Sequence, residues 1–271
     1  MPFAVPEKRG GRILKNARVT RLNRDTAGAV VSLVYEDGQG THTLPADAVI
    51  SSMPLKDLVA GMNGVPEEAA RIAAGLPYRD YITVGVLVPR LSLKNTTKRR
   101  TVSDIVPDGW VYVHDRNVKM GRFQIFNNWS PYLVKDLENT VWLGLEYFCN
   151  EGDELWSMSD EAFAEMAAEE TVKIGLTEST EMILDKHTER VKKAYPAYFD
   201  TYAGIDTLRA FLDTVPNLYC VGRNGQHRYN NIDHSMVTAF EAVDCLLSGG
   251  TDRSRIWNVN TEQVYHEEKE N

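Results

Sequence analysis

The stretch Leu218-Tyr219-Cys220-Val221-Gly222-Arg223-Asn224-Gly225-Gln226-His227-Arg228-Tyr229-Asn230-Asn231-Ile232-Asp233-His234-Ser235-Met236 decides how this chain is read. An apolar strand, Leu218 to Val221, is stopped by Gly222, and a polar loop leads from it into a helix of roughly Asp233 to Leu247. The first-turn N–H groups of a helix have no intrahelical partner, and the helix dipole adds partial positive charge there, so such a bend can face an anion or a polarised carbonyl. A plainer reading is equally open: Asn231 or Asp233 caps the helix and the loop residues sit in water.

Upstream, residues 10 to 53 are β-rich. Ala17-Arg18-Val19 and Ala29 to Tyr35 read as strands, Glu36-Asp37-Gly38 as a hairpin turn, and Ala46-Asp47-Ala48-Val49-Ile50 as a buried strand closed by Pro54. Two short helices are expected over 55 to 75, split at Asn63-Gly64, the second with Pro66 at its start and Gly75 at its end. From Tyr81 the strands lengthen: Tyr81 to Val88, Trp110 to His114, Arg122 to Trp129 and Val141 to Cys149 form one expected sheet. A helix begins at Ser159 and stops at Gly175, a strand covers His187 to Tyr195, a helix Ile205 to Leu212, and a polar tail follows from Thr251 to Asn271.

This order implies an α+β or α/β chain. One discontinuous domain, 1–75 with 187–250, would carry an inserted one, 76–186, that has a mainly antiparallel or mixed sheet and covering helices.

Composition narrows the function classes. With 30 Lys and Arg against 38 Asp and Glu, the net charge of −8 argues against an extended nucleic-acid footprint. The basic cluster Lys94 with Lys98-Arg99-Arg100 reads as a solvated loop. No apolar run reaches the roughly 18 residues of a membrane span, and no export signal opens the sequence, so a cytoplasmic location is expected. Cys149, Cys220 and Cys245 form neither a disulfide framework nor a zinc motif, and the six histidines lack helical metal spacing, so no metal is expected.

In this order, Gly10-Gly11-Arg12-Ile13 to Val19, Ala46 to Pro54, Tyr78-Arg79-Asp80-Tyr81-Ile82-Thr83-Val84, Glu146-Tyr147-Phe148 and the bend at Gly222 resemble the FAD-dependent amine-oxidase superfamily. That superfamily includes protoporphyrinogen-oxidase-like proteins and UDP-galactopyranose mutases. The resemblance implies an FAD-dependent oxidoreductase or, as an alternative, a nucleotide-sugar isomerase or a non-catalytic nucleotide-sugar-binding module. It implies cofactor contacts at Gly222, Arg223, Asn231, Ile232 and Asp233, the last three through backbone amides. It further implies substrate contacts at Arg223 and Tyr229, the two positions where the mutases hold a diphosphate. Arg223 could instead pair with an acidic residue, and Tyr229 could simply pack under the loop. Asn231 and Ile232 differ from the acidic residue and methionine of the mutases.

In the middle segment, Arg122, Asn128 and Trp129 are candidate substrate contacts, Phe123 and Phe126 are expected in the core, and Glu146, a carboxylate in an apolar strand, needs a partner such as Arg122 or Arg79. The superfamily's strand, G-x-G-x-x-G turn and helix for the FAD pyrophosphate have no counterpart: Gly10-Gly11 and Gly38-Gln39-Gly40 both lack the spacing. The chain therefore resembles the carboxyl-terminal part of a flavoprotein, with an amino-terminal FAD-binding half as an expected partner beside a small-molecule substrate. Each missing charge-assisted hydrogen bond removes about 1.5–3 kcal/mol, so weak or absent FAD binding, and no activity, is expected of this stretch alone.

Overall fold

The computed structural model describes residues 7–260. They divide into two compact units: one runs up to Tyr78 and resumes at Tyr195, and the other is Arg79–Ala194.

The first unit opens with a three-stranded antiparallel sheet, β1 (Arg18–Arg24), β2 (Val30–Asp37) and β3 (Gly40–Pro45). Asp37 faces Gly40 across the β2–β3 turn, so the loop is Gly38-Gln39, with the positive φ (+127°) on Gly40 rather than on Gly38. The next strand, β4 (Val49–Ser51), is shorter than expected. Asp47 lends its carbonyl to the Asn217 side chain 2.9 Å away and so lies outside the ladder, and Ile50 is 43% exposed. Two helices follow, α1 (Leu55–Ala60) and α2 (Glu67–Gly75), each with proline at its N-cap and separated at Asn63-Gly64. Leu55, Leu58, Ile72 and Ala73 carry their buried faces.

The second unit is built on a five-stranded sheet. Its strands are β5 (Tyr78–Val88), β6 (Trp110–Tyr112), β7 (Arg122–Ile125), β8 (Val141–Cys149) and β9 (Asp185–Pro196), in the order β6-β7-β8-β5-β9. The β6–β7, β7–β8 and β8–β5 pairings are antiparallel. Two expected strands are shorter than read. Trp110 to His114 ends at Tyr112, and Arg122 to Trp129 ends at Ile125 because Phe126–Trp129 turns into a short helix, α3. Asn127 causes that turn: its side chain bonds both the Thr140 carbonyl (2.8 Å) and the Trp142 N–H (3.0 Å), capturing ladder groups that a continued β7 would have used.

Two helices, α4 (Glu154–Ser157) and α5 (Asp160–Lys173), follow β8; Ser159 caps α5 by accepting the Ala162 N–H. Alternation along β5 points Ile82, Val84, Val86 and Val88 at one face, where Leu143, Leu145, Tyr147 and Phe163 complete the core. Tyr147 meets Phe163 edge to face at 4.9 Å.

The chain re-enters the first unit with α6 (Ile205–Asp213) and β10 (Leu218–Cys220), which pairs in parallel with β4. The bend expected as loop contains a short helix, α7 (Gly222–Gln226), before the long α8 (Ile232–Leu247). Within the expected polar tail, Ser254–Trp257 forms α9, with Ile256 and Trp257 buried and the Trp257 indole donating to Asp213 at 3.0 Å. Residues 261–271 of that tail lie outside the described residues.

Candidate functional site

The bend between β10 and α8 is held by backbone economy. Gly222 has φ +73°, a left-handed value that L side chains rarely adopt, and its N–H donates to Thr238 at 2.9 Å. A Cβ at Gly222 would meet nothing nearer than 3.9 Å, so conformation rather than crowding by the chain's own atoms calls for glycine there. Gly225 is the opposite case. A Cβ on it would stand 2.5 Å from the Ser51 carbonyl oxygen, so α7 lies directly on the end of β4.

Arg223 and Tyr229 come together, as the sequence reading expected of substrate contacts. The Arg223 guanidinium carbon lies 4.7 Å from the Tyr229 ring centre and 5.1 Å from that of Tyr195, and the two rings are stacked 5.8 Å apart. Its Nε donates to the Asn230 carbonyl at 2.9 Å. Sandwiched this way, the guanidinium keeps its charge and gives up rotamer freedom, the preparation that a planar cation needs to grip paired oxygens. Tyr229 is half buried; its backbone N–H is taken by the Tyr198 hydroxyl at 2.5 Å and its carbonyl by the Asn260 amide at 2.9 Å.

The entrance of α8 lies open: Asn231, Ile232 and Asp233 are all exposed, Ile232 at 81%. Asn231 is the N-cap, and its own N–H is met by His234 Nδ1 at 3.3 Å in a reciprocal capping arrangement. Asp233 favours the positive end of the helix but does not cap it. The capping expected of this loop is thus present, without closing the bend off.

Beneath the bend sits His227, fully buried, with φ +47° and its Nε2 donating to the Ala197 carbonyl at 3.0 Å. Burial is the main reason its pKa falls from 6.5 to about 4, and the nearby Lys56 and Arg209 charges act in the same direction, against the hydrogen bond to Ala197. His227 is therefore a neutral structural post. Tyr78 packs edge-on against it at 4.7 Å. Tyr195 had no functional signal in sequence; it emerges only because β9 carries it to Arg223.

In the second unit, the sheet face opposite the apolar core holds a polar and aromatic group. Arg122 and Glu146 are cross-strand partners on β7 and β8, and the Arg122 Nε meets Glu146 Oε2 at 2.5 Å with both side chains almost wholly buried. The Gln124 amide bonds the other carboxylate oxygen. Around the guanidinium stand Trp110 (4.4 Å), Phe148 (5.1 Å) and Tyr112 (6.0 Å), with Trp110 and Tyr112 about half exposed.

The other candidates of this unit have structural employment. Asn128 donates to the Val106 and Asp108 carbonyls at 2.7 and 2.9 Å, and the Trp129 indole donates to Gly109 at 2.9 Å, pinning the loop before β6. The Trp129 ring remains 52% exposed and lies 5.8 Å from Trp110. Phe123 is in the core, whereas Phe126 is half buried against Gly144.

The profile of a family described as "Flavin containing amine oxidoreductase" matches residues 3–231. No curated protein matches the chain. Among solved structures, a reduced UDP-galactopyranose mutase is similar with TM-score 0.71 and 20% identity over 94% of this chain and 52% of that one. A putative protoporphyrinogen oxidase from Exiguobacterium sp. 255-15 gives TM-score 0.54 and 15% identity over 90% and 47%, and an oxidoreductase from Methanosarcina mazei gives 0.52 and 15% over 82% and 47%. The chain spans about half the length of these structures. Among the described residues no helix is long and apolar enough to cross a membrane, and no cluster of His, Cys, Asp and Glu could hold a metal ion.

Proposed function

Because the chain belongs to the flavin-containing amine oxidoreductase family, we propose that it forms the flavin-ring and substrate side of an FAD-dependent oxidoreductase. The observation that carries this reading is the open entrance of α8 beside the Tyr195–Arg223–Tyr229 stack. A helix start offers N–H donors and positive potential to an electron-rich ring edge, and the glycine bend before it leaves room for close approach.

The residues present fit the ring side of FAD: Gly222 with open space at its Cβ position, and the exposed first turn at Asn231, Ile232 and Asp233. They do not supply a glycine turn for the pyrophosphate. When bound, FAD supplies the two-electron chemistry, and the protein contributes binding, orientation and electrostatics. In this reading the α8 entrance holds the ring edge, Arg223 steadies a negatively charged group of substrate or cofactor, and Tyr229 fixes the guanidinium plane. Trp110, Tyr112 and Trp129 offer ring surfaces to a small-molecule substrate, with Arg122 as a positioning residue that keeps Glu146 and the flanking rings in place.

A second reading, a nucleotide-sugar isomerase or binding module, is favoured by one feature: a guanidinium clamped between two tyrosines is suited to a diphosphate. Thermal unfolding in increasing FAD and, separately, UDP-galactose separates the two, since only a ligand that prefers the native state raises Tm. The first reading expects a small FAD-dependent rise that mostly survives Arg223→Ala. A rise with the UDP-sugar alone, abolished by Arg223→Ala, would move the assignment to the second. No shift with either ligand would favour an inactive fragment, as the missing glycine turn implies.

A further inference from the structure

The basic cluster of the sequence takes no part in the sites described above. It lies in the second unit, on the segment Leu91–Ser103 between β5 and β6, which contains Lys94, Lys98, Arg99 and Arg100 and no carboxylate, in a protein of net charge −8. All of these cations are exposed, and none has an ion-pair partner among the described residues. Arg90, at the foot of the segment, differs in pairing with Glu178 at 3.7 Å.

The loop is nevertheless held in one shape. Asn95 Oδ1 accepts from the Thr97 N–H at 2.9 Å and the Thr97 hydroxyl at 2.8 Å, the Asn95 amide donates to the Arg99 carbonyl at 2.7 Å, and the Arg99 N–H donates to Thr97 Oγ1 at 3.1 Å. Side chains that close their own turns present the cations together and leave less backbone freedom to lose on docking.

Apolar groups flank the charges. Leu93 and Val102, each 42% exposed, stand at the two ends of the cluster. The Ser103 hydroxyl donates to the Glu138 carbonyl at 2.6 Å and so fixes the loop against the segment before β8, where Tyr132 is 96% and Leu133 56% exposed. Beside Leu133 opens a cavity of about 340 Å³ walled by Leu87, Val134 and Trp142, with Lys135 also on its lining. The exposed acids of these two segments, Asp104, Asp136 and Glu138, are outnumbered by Lys94, Lys98, Arg99, Arg100 and Lys135.

We propose that the Leu91–Ser103 loop and the adjoining Tyr132–Lys135 segment are a peripheral docking surface for an anionic phospholipid bilayer. The cations meet the headgroup phosphates, and Leu93, Val102 and Leu133 reach the acyl boundary, the division of labour of interfacial membrane binding. Each Lys or Arg near an anionic leaflet raises partitioning about fivefold. Since the protein as a whole is negative, the attraction acts only within a Debye length, roughly 10 Å at 0.1 M salt, so the exposed loop must make the contact. A nucleic acid fits less well, because Leu91–Ser103 has no aromatic residue on which a base could stack. The surface lies within the second unit and stands whether or not the flavin reading does.

The test sediments the full chain with vesicles of phosphatidylcholine and with vesicles containing phosphatidylglycerol, at about 0.1 M and about 0.5 M NaCl. The expected result is at least tenfold stronger binding to the phosphatidylglycerol vesicles, mostly lost at the higher salt. Lys98→Glu/Arg99→Glu/Arg100→Glu should cut that binding at least tenfold, and Leu93→Ser/Leu133→Ser should cut it several-fold while its salt dependence remains. The control Lys8→Glu/Arg9→Glu/Arg12→Glu, in the first unit, should leave it unchanged. All of these positions are exposed, so Tm should hold in every variant. Absence of binding to the anionic vesicles, equal binding to both lipids, insensitivity to either loop variant, or an equal loss in the control would overturn the proposal. Binding of polyglutamate or single-stranded DNA as tight as that of the vesicles would overturn it too, and would assign the loop to a soluble polyanion.

Discussion

Gly225 of α7 rests against the main chain of Ser51 at the end of β4, so closely that a single added carbon would lie 2.5 Å from the Ser51 oxygen. Gly225→Ala should therefore push α7 away from the strand and lower stability by about 1–3 kcal/mol, the usual cost of overpacking. Gly222→Ala should cost about 1–2 kcal/mol for a different reason, its left-handed backbone. Urea unfolding measures both; a neutral Gly225→Ala would show that the contact is not as tight as described.

The Arg122–Glu146 pair is a buried charge pair, and removing one partner strands the other. Glu146→Ala and Arg122→Ala are each expected to cost about 3–5 kcal/mol. The double substitution to a matched apolar pair, Arg122→Met with Glu146→Leu, should recover much of that loss. A double-mutant cycle with no coupling would mean that the pair contributes nothing specific.

His227 links stability to pH. Its native pKa is depressed to about 4 from 6.5, so the unfolded state binds the proton first. The stability it contributes is fully present above about pH 6.5 and is lost as pH falls from there through about 4, by up to about 3 kcal/mol. Carboxylates titrate in part of this window, so the readout is a difference: His227→Asn, whose side chain tolerates the positive φ, should show a shallower loss between pH 6.5 and 4.5 in urea unfolding. Parallel curves would contradict the assignment.

Cys149 and Cys220 are buried, and that burial pushes both thiols up to about 12. Neither should be alkylated by iodoacetamide at pH 8 in the folded protein, whereas all three cysteines should react in denaturant. Mass spectrometry of the labelled peptides checks this; fast labelling of Cys220 in the native state would mean that the β4–β10 pair opens readily.

Local chemistry carried far in this chain. The Pro-led helices at 55 and 67, the Gly38-Gln39 hairpin, the Ser159 cap and the Arg122–Glu146 partnership were legible because each depends on residues close in sequence or on the high cost of burying a lone charge. The family was legible by resemblance, from the order of several short segments between Gly10 and the bend at Gly222.

The errors came from competition at a distance. Asn127 captures groups on Thr140 and Trp142 and ends β7 early, and Asn217 takes the Asp47 carbonyl and shortens β4; neither partner adjoins the residue it diverts. Arg253 and Trp257 fold back on the segment around Asp213 and Val215, and Ile256 packs with Tyr219 and Val221, so part of an apparently polar tail is core. Asn128 and Trp129, expected as substrate contacts, also spend polar atoms on the loop before β6, a structural role that no local pattern announces.

By itself, then, the sequence determined most of the elements and the location of the bend, since periodicity, turn chemistry and capping act within a few residues, and its resemblances identified the family. Tertiary structure decided that Tyr195 joins Tyr229 around Arg223, that His227 is a buried neutral post, and that one side of the closing helix faces water with its apolar residues. Those outcomes depend on which distant surfaces meet, and side chains obey the burial that results rather than their neighbours in the chain.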